Sequence, residues 1–256
     1  MQKGICNLSV VPLRRIPSDK SEMVSQLLFG EIFTITDSME NWALIHNDFD
    51  GYEGWVDKKQ FRILSEIETE QNVLNESSIC TVPISSFLHN DGSVLHLSFG
   101  SILSNIYTDP SSKLDDLLHN NGDFQIIQEP DKTKVIAFAK QFTNAPYIWG
   151  GKSIFGVDCS GLVQLVFKAA GFQLPRDAGQ QIDHGSLISF IEQAEPADLA
   201  FFDNDEGQIV HVGILLNQNQ IIHASGKVRI DSIDHYGIFN HELHRYTHRL
   251  RIIKRV

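Results

Sequence analysis

A chain of 256 residues, 42% of them apolar, has room for two or three small domains, each with a buried core. Its formal charge of −11 argues against nucleic acid or an anionic membrane as a partner, because both need clustered basic residues. Its three cysteines, Cys6, Cys80 and Cys159, are odd in number and far apart, which argues against a disulfide framework and suits a reducing compartment.

The first residues, Met1 to Asn7, lead into strand-like sequence without an apolar signal segment, and no run of 18 apolar residues follows. Taken as the native start, this predicts a cytoplasmic protein. Short apolar runs then alternate with turn residues: Val10, Val11 and Leu13; Ile32, Phe33 and Ile35; Trp42, Leu44 and Ile45; Trp55 and Val56. That spacing predicts a small barrel over residues 1–64. A weaker second copy follows at an offset of 70 or 71, matching Val11-Pro12 to Val82-Pro83 and Phe29-Gly30 to Phe99-Gly100. Asp50-Gly51-Tyr52-Glu53 falls near Asn121-Gly122-Asp123-Phe124. Residues 65–128 are read as this degenerate copy, with the polar stretch 66–78 as the link. Gly51-Tyr52-Glu53-Gly54-Trp55-Val56 resembles a late strand of bacterial SH3 domains, with Trp55 in the packing and Tyr52 more exposed. The second copy lacks the Tyr-Glu-Gly-Trp set, so ligand binding is expected of the first.

Glu129-Pro130 opens a third domain, 129–256. Val135, Ile136, Phe138, Ala139 and Phe142 predict a helix over 131–142, ended by Ala145-Pro146. Leu162, Leu165, Val166 and Ala169 share one helical face, with Gly171 as the stop and Asp158 or Ser160 as the cap. Cys159 therefore stands at a helix start, where unpaired N–H groups and the helix dipole favour a thiolate and can hold an oxyanion. Strands are expected at 196–202, 208–216, 220–224 and 250–253, with a turn at 217–219 and an uncharacterised connection at 185–195. His211 interrupts an apolar strand and His223 follows on its hairpin partner, opposite or within a couple of residues. Cysteine, histidine and histidine then form a nucleophile, a base and an orienting group. A metal reading would use Cys159, His211 and His223, perhaps with Asp158. It lacks the short-spaced ligand pairs typical of zinc, so no metal or cofactor is expected.

The motifs Tyr147-Ile148-Trp149-Gly150-Gly151, Asp158-Cys159-Ser160-Gly161, Pro175-Arg176-Asp177, Asp198-Leu199-Ala200-Phe201-Phe202, His211-Val212-Gly213 and Ile222-His223-Ala224 resemble those of NlpC/p60 cysteine peptidases, in the family's order. The resemblance implies an α+β fold: a papain-like catalytic domain preceded by two small SH3-like β-barrels. It also implies hydrolysis of murein stem peptides between γ-D-glutamate and a diamino acid. It makes Cys159 the nucleophile, His211 the base, His223 the orienting residue and Tyr147 an oxyanion donor. Ala197 departs from the glycine often found before Asp198.

SH3 domains ahead of such a catalytic domain resemble the subgroup that trims recycled muropeptides with a free N-terminal L-alanine. There the ammonium is met by groups from the first SH3 domain and the catalytic domain, because leaving it buried and unpaired costs several kcal/mol. The resemblance carries that role to Glu22 and Tyr52, with Trp149, Asp158, Ser160, Arg176 and Asp177 as further substrate-binding residues. No obligate protein partner is inferred. The rival readings are an exported wall endopeptidase and an inactive cell-wall-binding module.

Overall fold

The computed structural model describes residues 2–74, 78–89, 92–103, 114–115, 123–126 and 129–256. Its contacts divide it into two units: Met1–Glu129 with Trp149–Ile154, and Pro130–Ile148 with Phe155–Val256.

The first unit begins with seven strands: β1 (Lys3–Ile5), β2 (Val10–Arg14), β3 (Met23–Leu28), β4 (Ile32–Ser38), β5 (Trp42–Asn47), β6 (Glu53–Asp57) and β7 (Arg62–Ile63). They form one antiparallel sheet in the order β3-β2-β6-β5-β4-β1-β7. Alternation along β2, β5 and β6 turns Val11, Leu13, Ala43, Ile45 and Val56 inward, where they meet Cys6, Val24, Leu27 and Phe33. Each fully buried Val, Leu, Ile or Phe among them stabilises the fold by about 1.5–3 kcal/mol. Strand β3 was not legible in advance, because buried pairs, Val24-Ser25 and Leu27-Leu28, replace strict alternation beside an irregularity at Leu13/Arg14. Tyr52 is half-buried and packs against this core, more enclosed than its glycine neighbours suggested.

The repeat recurs as geometry. Gly30 and Gly100 both adopt positive φ, +80° and +87°, and donate to the carbonyls of Cys6 and Cys80 at 2.8 and 2.9 Å. The two thiols donate in turn to the carbonyls of Leu8 and Val82, each two residues on. Burial pushes both thiols up to about 12, so they are small apolar packing groups. The second copy is built of β8 (Ser78–Cys80), β9 (Ile84–His89), β10 (Val94–Ser98), β11 (Ile102–Leu103), β12 (Leu114–Asp115) and β13 (Phe124–Ile126), in two three-stranded sheets. Phe87 and Leu97 bury against Ile5, Phe29 and Leu64. Asn121-Gly122 lies outside the described residues. The expected link over 66–78 instead contains helix α1 (Glu66–Leu74). Its start is a capping box: Glu68 accepts the Ser65 N–H at 2.8 Å, and Ser65 Oγ accepts the Glu68 N–H at 3.3 Å.

Trp149–Ile154, which includes the short strand β14 (Lys152–Ser153), belongs to this unit. Lys152 Nζ lies 3.3 Å from Glu31 Oε1, both side chains essentially without solvent exposure, and Gln26 accepts the Lys152 N–H at 2.6 Å. Removing one partner of a buried pair strands the other charge. Glu31→Ala should therefore destabilise the protein by about 3–5 kcal/mol, read as a lower urea midpoint. An unchanged midpoint would show that Lys152 finds other compensation.

In the second unit, β17 (Leu199–Asp203), β18 (Ile209–Asn217), β19 (Gln220–Ser225), β20 (Lys227–Asp234), β21 (Gly237–Asn240) and β22 (Arg245–Arg255) run in sequence around a sheet that β21 and β22 close into a barrel. Ala200, Phe202, Leu215, Ile221, Ile233, Ile238 and Ile253 fill it. The short strands β15 (Gly156–Val157) and β16 (Ser186–Ile188) precede these, the latter pairing with β22. Helix α3 (Cys159–Ala169) packs on β18 and β19, and α2 (Val135–Gln141) packs on α3. Helix α2 is shorter than expected. A 3-10 turn, Lys132–Lys134, precedes it, and Asn144 at φ 69° stops the chain before Pro146 is reached. The 185–195 connection holds β16 and a 3-10 turn, Ile191–Gln193. Strands β20 and β21 were not anticipated, and β22 extends well beyond 250–253. Ala197 takes the left-handed conformation, φ 73°, that explains a preference for glycine at this turn. Beside it, buried Asp198 receives Arg255 through both oxygens, at 2.9 and 2.8 Å, fixing β22.

Candidate active site

Asp158 opens α3. Its Oδ1 accepts the Gly161 N–H at 2.7 Å, which settles the cap in its favour over Ser160, and Gly171 at φ 90° follows the far end. Arg176, fully buried, grips both Asp158 oxygens at 2.9 and 2.6 Å and donates to Ser160 Oγ at 2.9 Å. Gln181, also buried, donates to the Ser160 carbonyl at 3.1 Å. This network sets the first turn of α3, and with it Cys159. Arg176 is buried, whereas Asp177 is exposed and opens helix α4 (Ala178–Gln181).

The backbone N–H groups of Ser160 and of Val212, the neighbour of His211, favour the Cys159 thiolate. Burial nevertheless pushes the thiol up to about 11, with Asp158 adding to the rise, so the helix start does not by itself give a free thiolate. Burial likewise holds His211 well below 6.5, helped by His223 and His248. A lone thiolate and a lone imidazolium are both disfavoured, so the two groups stay net neutral across the physiological range. Proton transfer within the pair would give a thiolate beside an imidazolium. Tyr147, half-buried near Cys159, is raised to about 12, mainly by burial, so its hydroxyl remains a donor. Its own backbone N–H is fixed by the Gly226 carbonyl at 3.0 Å.

His211 Nε2 lies 2.8 Å from His223 Nδ1, and His223 Nε2 lies 3.1 Å from Asp231 Oδ2. Burial opposes the Asp231 carboxylate, but bonds from His223 and Arg229 outweigh it and hold the group below its usual range. The chain of contacts fixes one set of tautomers. Asp231 takes the His223 Nε2 proton, His223 Nδ1 takes that of His211 Nε2, and His211 Nδ1 is left as the basic nitrogen. Gly213 leaves room for His223 on the facing strand: a Cβ there would stand 2.9 Å from the Cβ of His223. His248 stacks on His211 with ring centroids 4.1 Å apart and an interplanar angle of 27°.

Comparison with known proteins decides the family. Residues 144–247 match the model of the NlpC/P60 family, and 13–61 match the bacterial dipeptidyl-peptidase SH3 domain. The gamma-D-glutamyl-L-lysine dipeptidyl-peptidase of Bacillus subtilis is 30% identical over 218 residues, covering 78% of this chain and 71% of that protein. The chain belongs to the NlpC/P60 family. It is a cysteine-type peptidase of the dipeptidyl-peptidase kind. Dipeptidyl-peptidase 6 of Lysinibacillus sphaericus is 26% identical, over 85% of this chain and 87% of that protein. In fold, the chain matches the crystal structure of an NlpC/P60 family protein from Bacillus cereus with a TM-score of 0.81, at 21% identity and 99% coverage of each chain.

In this NlpC/P60 peptidase the second unit brings together Tyr147, Asp158, Cys159, Ser160, Arg176, His211 and His223. Glu22, Tyr52 and Trp149 belong to the first unit, where Glu22 accepts from Trp149 Nε1 at 2.8 Å and from Arg15 Nε at 2.5 Å. Those two bonds, Arg15 first, keep the Glu22 carboxylate below its usual range. Sequence reasoning missed Asp231, Gln181 and His248. Asp231 had a signal, since Arg229 and Asp231 alternate on a strand just beyond the Gly226 turn. His248 had none, being set by the closure of β22 on β21. Among the described residues no helix is long and apolar enough to cross a membrane.

The two depressed or raised groups predict a pH profile. A base at His211 must be neutral to accept the thiol proton, and burial keeps that imidazole neutral until well below 6.5. The thiol loses its proton to solvent only near 11. Thus kcat/KM should be flat between about pH 6.5 and 9, since its limbs report the free enzyme's base and nucleophile. A limb centred near 6.5 would contradict this arrangement.

Proposed function

We propose that the peptidase hydrolyses the γ-D-glutamyl–diamino acid bond of murein peptides bearing a free N-terminal L-alanine and releases L-Ala-γ-D-Glu. The relay Cys159, His211, His223 and Asp231 beside the N–H donors of a helix start is the observation that carries the chemistry. The full-length relatives' names support the substrate. Cys159 Sγ attacks the γ-glutamyl carbonyl as its proton passes to His211 Nδ1. The oxyanion is held by the Cys159 N–H and the Tyr147 hydroxyl, both neutral donors. The tetrahedral intermediate expels the diamino acid amine, which takes the proton from His211, and water then opens the thioester with His211 as base.

Glu22, held ionised, and Tyr52 are assigned to the substrate ammonium, with Trp149 orienting the carboxylate through its indole N–H. Asp158 and Arg176 are assigned to positioning, because their charges are engaged with each other in building the α3 start; Ser160 shares that network. A peptide with a free amine is a fragment rather than polymeric wall, so the role proposed is recycling of released peptides in the cytoplasm.

Mass spectrometry of products from L-Ala-γ-D-Glu-diaminopimelate, beside the same peptide acetylated on its amine, tests the reading. Cleavage of the free peptide alone, lost in Glu22→Gln, is expected. Equal cleavage of both would remove the ammonium role and favour a wall endopeptidase, and cleavage of neither would leave a binding module.

A further inference from the structure

Three imidazoles meet at the base of the relay. One nitrogen from each of His211, His223 and His248 lies within 4.8 Å of the others. The ring of His223 stands at 85° to His211 and at 83° to His248, while His211 and His248 are nearly parallel. His223 therefore meets the other two rings edge-on, and ligation requires the stacked His211 and His248 rings to turn until their planes meet at one point. Each histidine also has its other nitrogen engaged or directed elsewhere. Asp231 holds His223 Nε2 at 3.1 Å, Thr247 Oγ1 lies 2.9 Å from His248 Nδ1, and His211 Nδ1 is the nitrogen proposed for the thiol. A carboxylate or hydroxyl behind a ligand histidine is the usual outer support of a zinc site. Tyr236, Tyr246, Thr247, His248 and Arg249 line an adjoining open cleft of about 510 Å³.

We propose that these three histidines form an inhibitory site for a divalent transition-metal ion of the zinc type, bound through His211 Nε2, His223 Nδ1 and His248 Nε2. The ligand set is neutral nitrogen, which suits zinc and excludes calcium or magnesium. Tetrahedral coordination at about 2.0–2.1 Å places ligand nitrogens roughly 3.3 Å apart. The 2.8 Å hydrogen bond between His211 and His223 must then open by about half an ångström, and the metal takes the place of its proton. The consequence follows from the tautomer. With the metal on Nε2, the remaining proton of His211 resides on Nδ1, and the base can no longer accept one from Cys159. The sequence reading set metal aside for want of closely spaced ligands, and the third ligand comes from β22, remote in the chain.

The binding test uses zinc chloride and no peptide, so its failure and that of the substrate assignment are separable. The full chain carrying Cys159→Ala, which removes the thiol as a competing ligand, is titrated against a chromogenic zinc chelator. One zinc per chain is expected, with affinity falling at least about 100-fold when His248→Gln is added and largely retained with His248→Cys, which keeps a ligand atom. Cobalt bound to the chain with Cys159 intact should show no thiolate charge-transfer band. Zinc should stop turnover reversibly, and His248→Gln should need correspondingly more of it. Loss of binding in Cys159→Ala, undiminished binding in the folded His248→Gln chain, or no binding at all would overturn the proposal.

Discussion

Cys159→Ala should abolish turnover, lowering kcat by at least about 10⁴-fold, while the chain keeps its fold and binds peptide. The size of the effect follows from the site's dependence on a covalent step. Without sulfur no acyl-enzyme forms, and His211, Tyr147 and the helix start have only water to activate. The fold should survive because the change removes one small buried atom, whereas the first turn of α3 is set by Asp158, Arg176 and Gln181. Such a truncation costs about 1 kcal/mol. Single-turnover mass spectrometry should find the thioester adduct in the native chain and none in the variant. Retained activity would remove Cys159 from the role of nucleophile.

His223→Ala should come next, with kcat reduced by roughly 10³-fold and KM nearly unchanged, by analogy with loss of an orienting group in other triads. His211 depends on His223 for both its tautomer and its ring orientation, through the 2.8 Å contact. Without that acceptor, nothing opposes the tautomer that carries its proton on Nδ1, which cannot act as base. Asp231→Asn acts one step further back and should cost about 10–100-fold. The two effects should not add when combined, because Asp231 works only through His223. A kinetic double-mutant cycle reads this directly. Additive losses would show Asp231 acting independently, and full activity in His223→Ala would show that His211 is oriented by its stacking on His248 alone.

Much of the candidate site was legible because its elements are local. A helix start announces itself through a cap, an apolar face and a terminal glycine within about fifteen residues, and Asp158 to Gly171 carries all three. A hairpin is nearly as local, which is why His211 and His223 could be paired before their register was known. The thiol's state was misjudged for a physical reason. The dipole of a helix start is readable from spacing, but burial is a property of the surrounding fold, and at Cys159 burial is the larger effect.

By itself the sequence determined the family, the N-terminal strand-rich segment with its echo 70 residues on, the helix that carries the cysteine, and the strand pair that carries both histidines. These rest on periodicity, capping and short motifs, which act over a few residues. Only the tertiary structure decided that Arg176 is a buried partner of Asp158, that Asp231 completes the relay, and that His248 stacks on the base. Each of these contacts joins segments that ladder register or barrel closure brings together. Register depends on the whole sheet, where Gly213 yields room for His223 and β22 returns to pair with β21, and no local pattern encodes it.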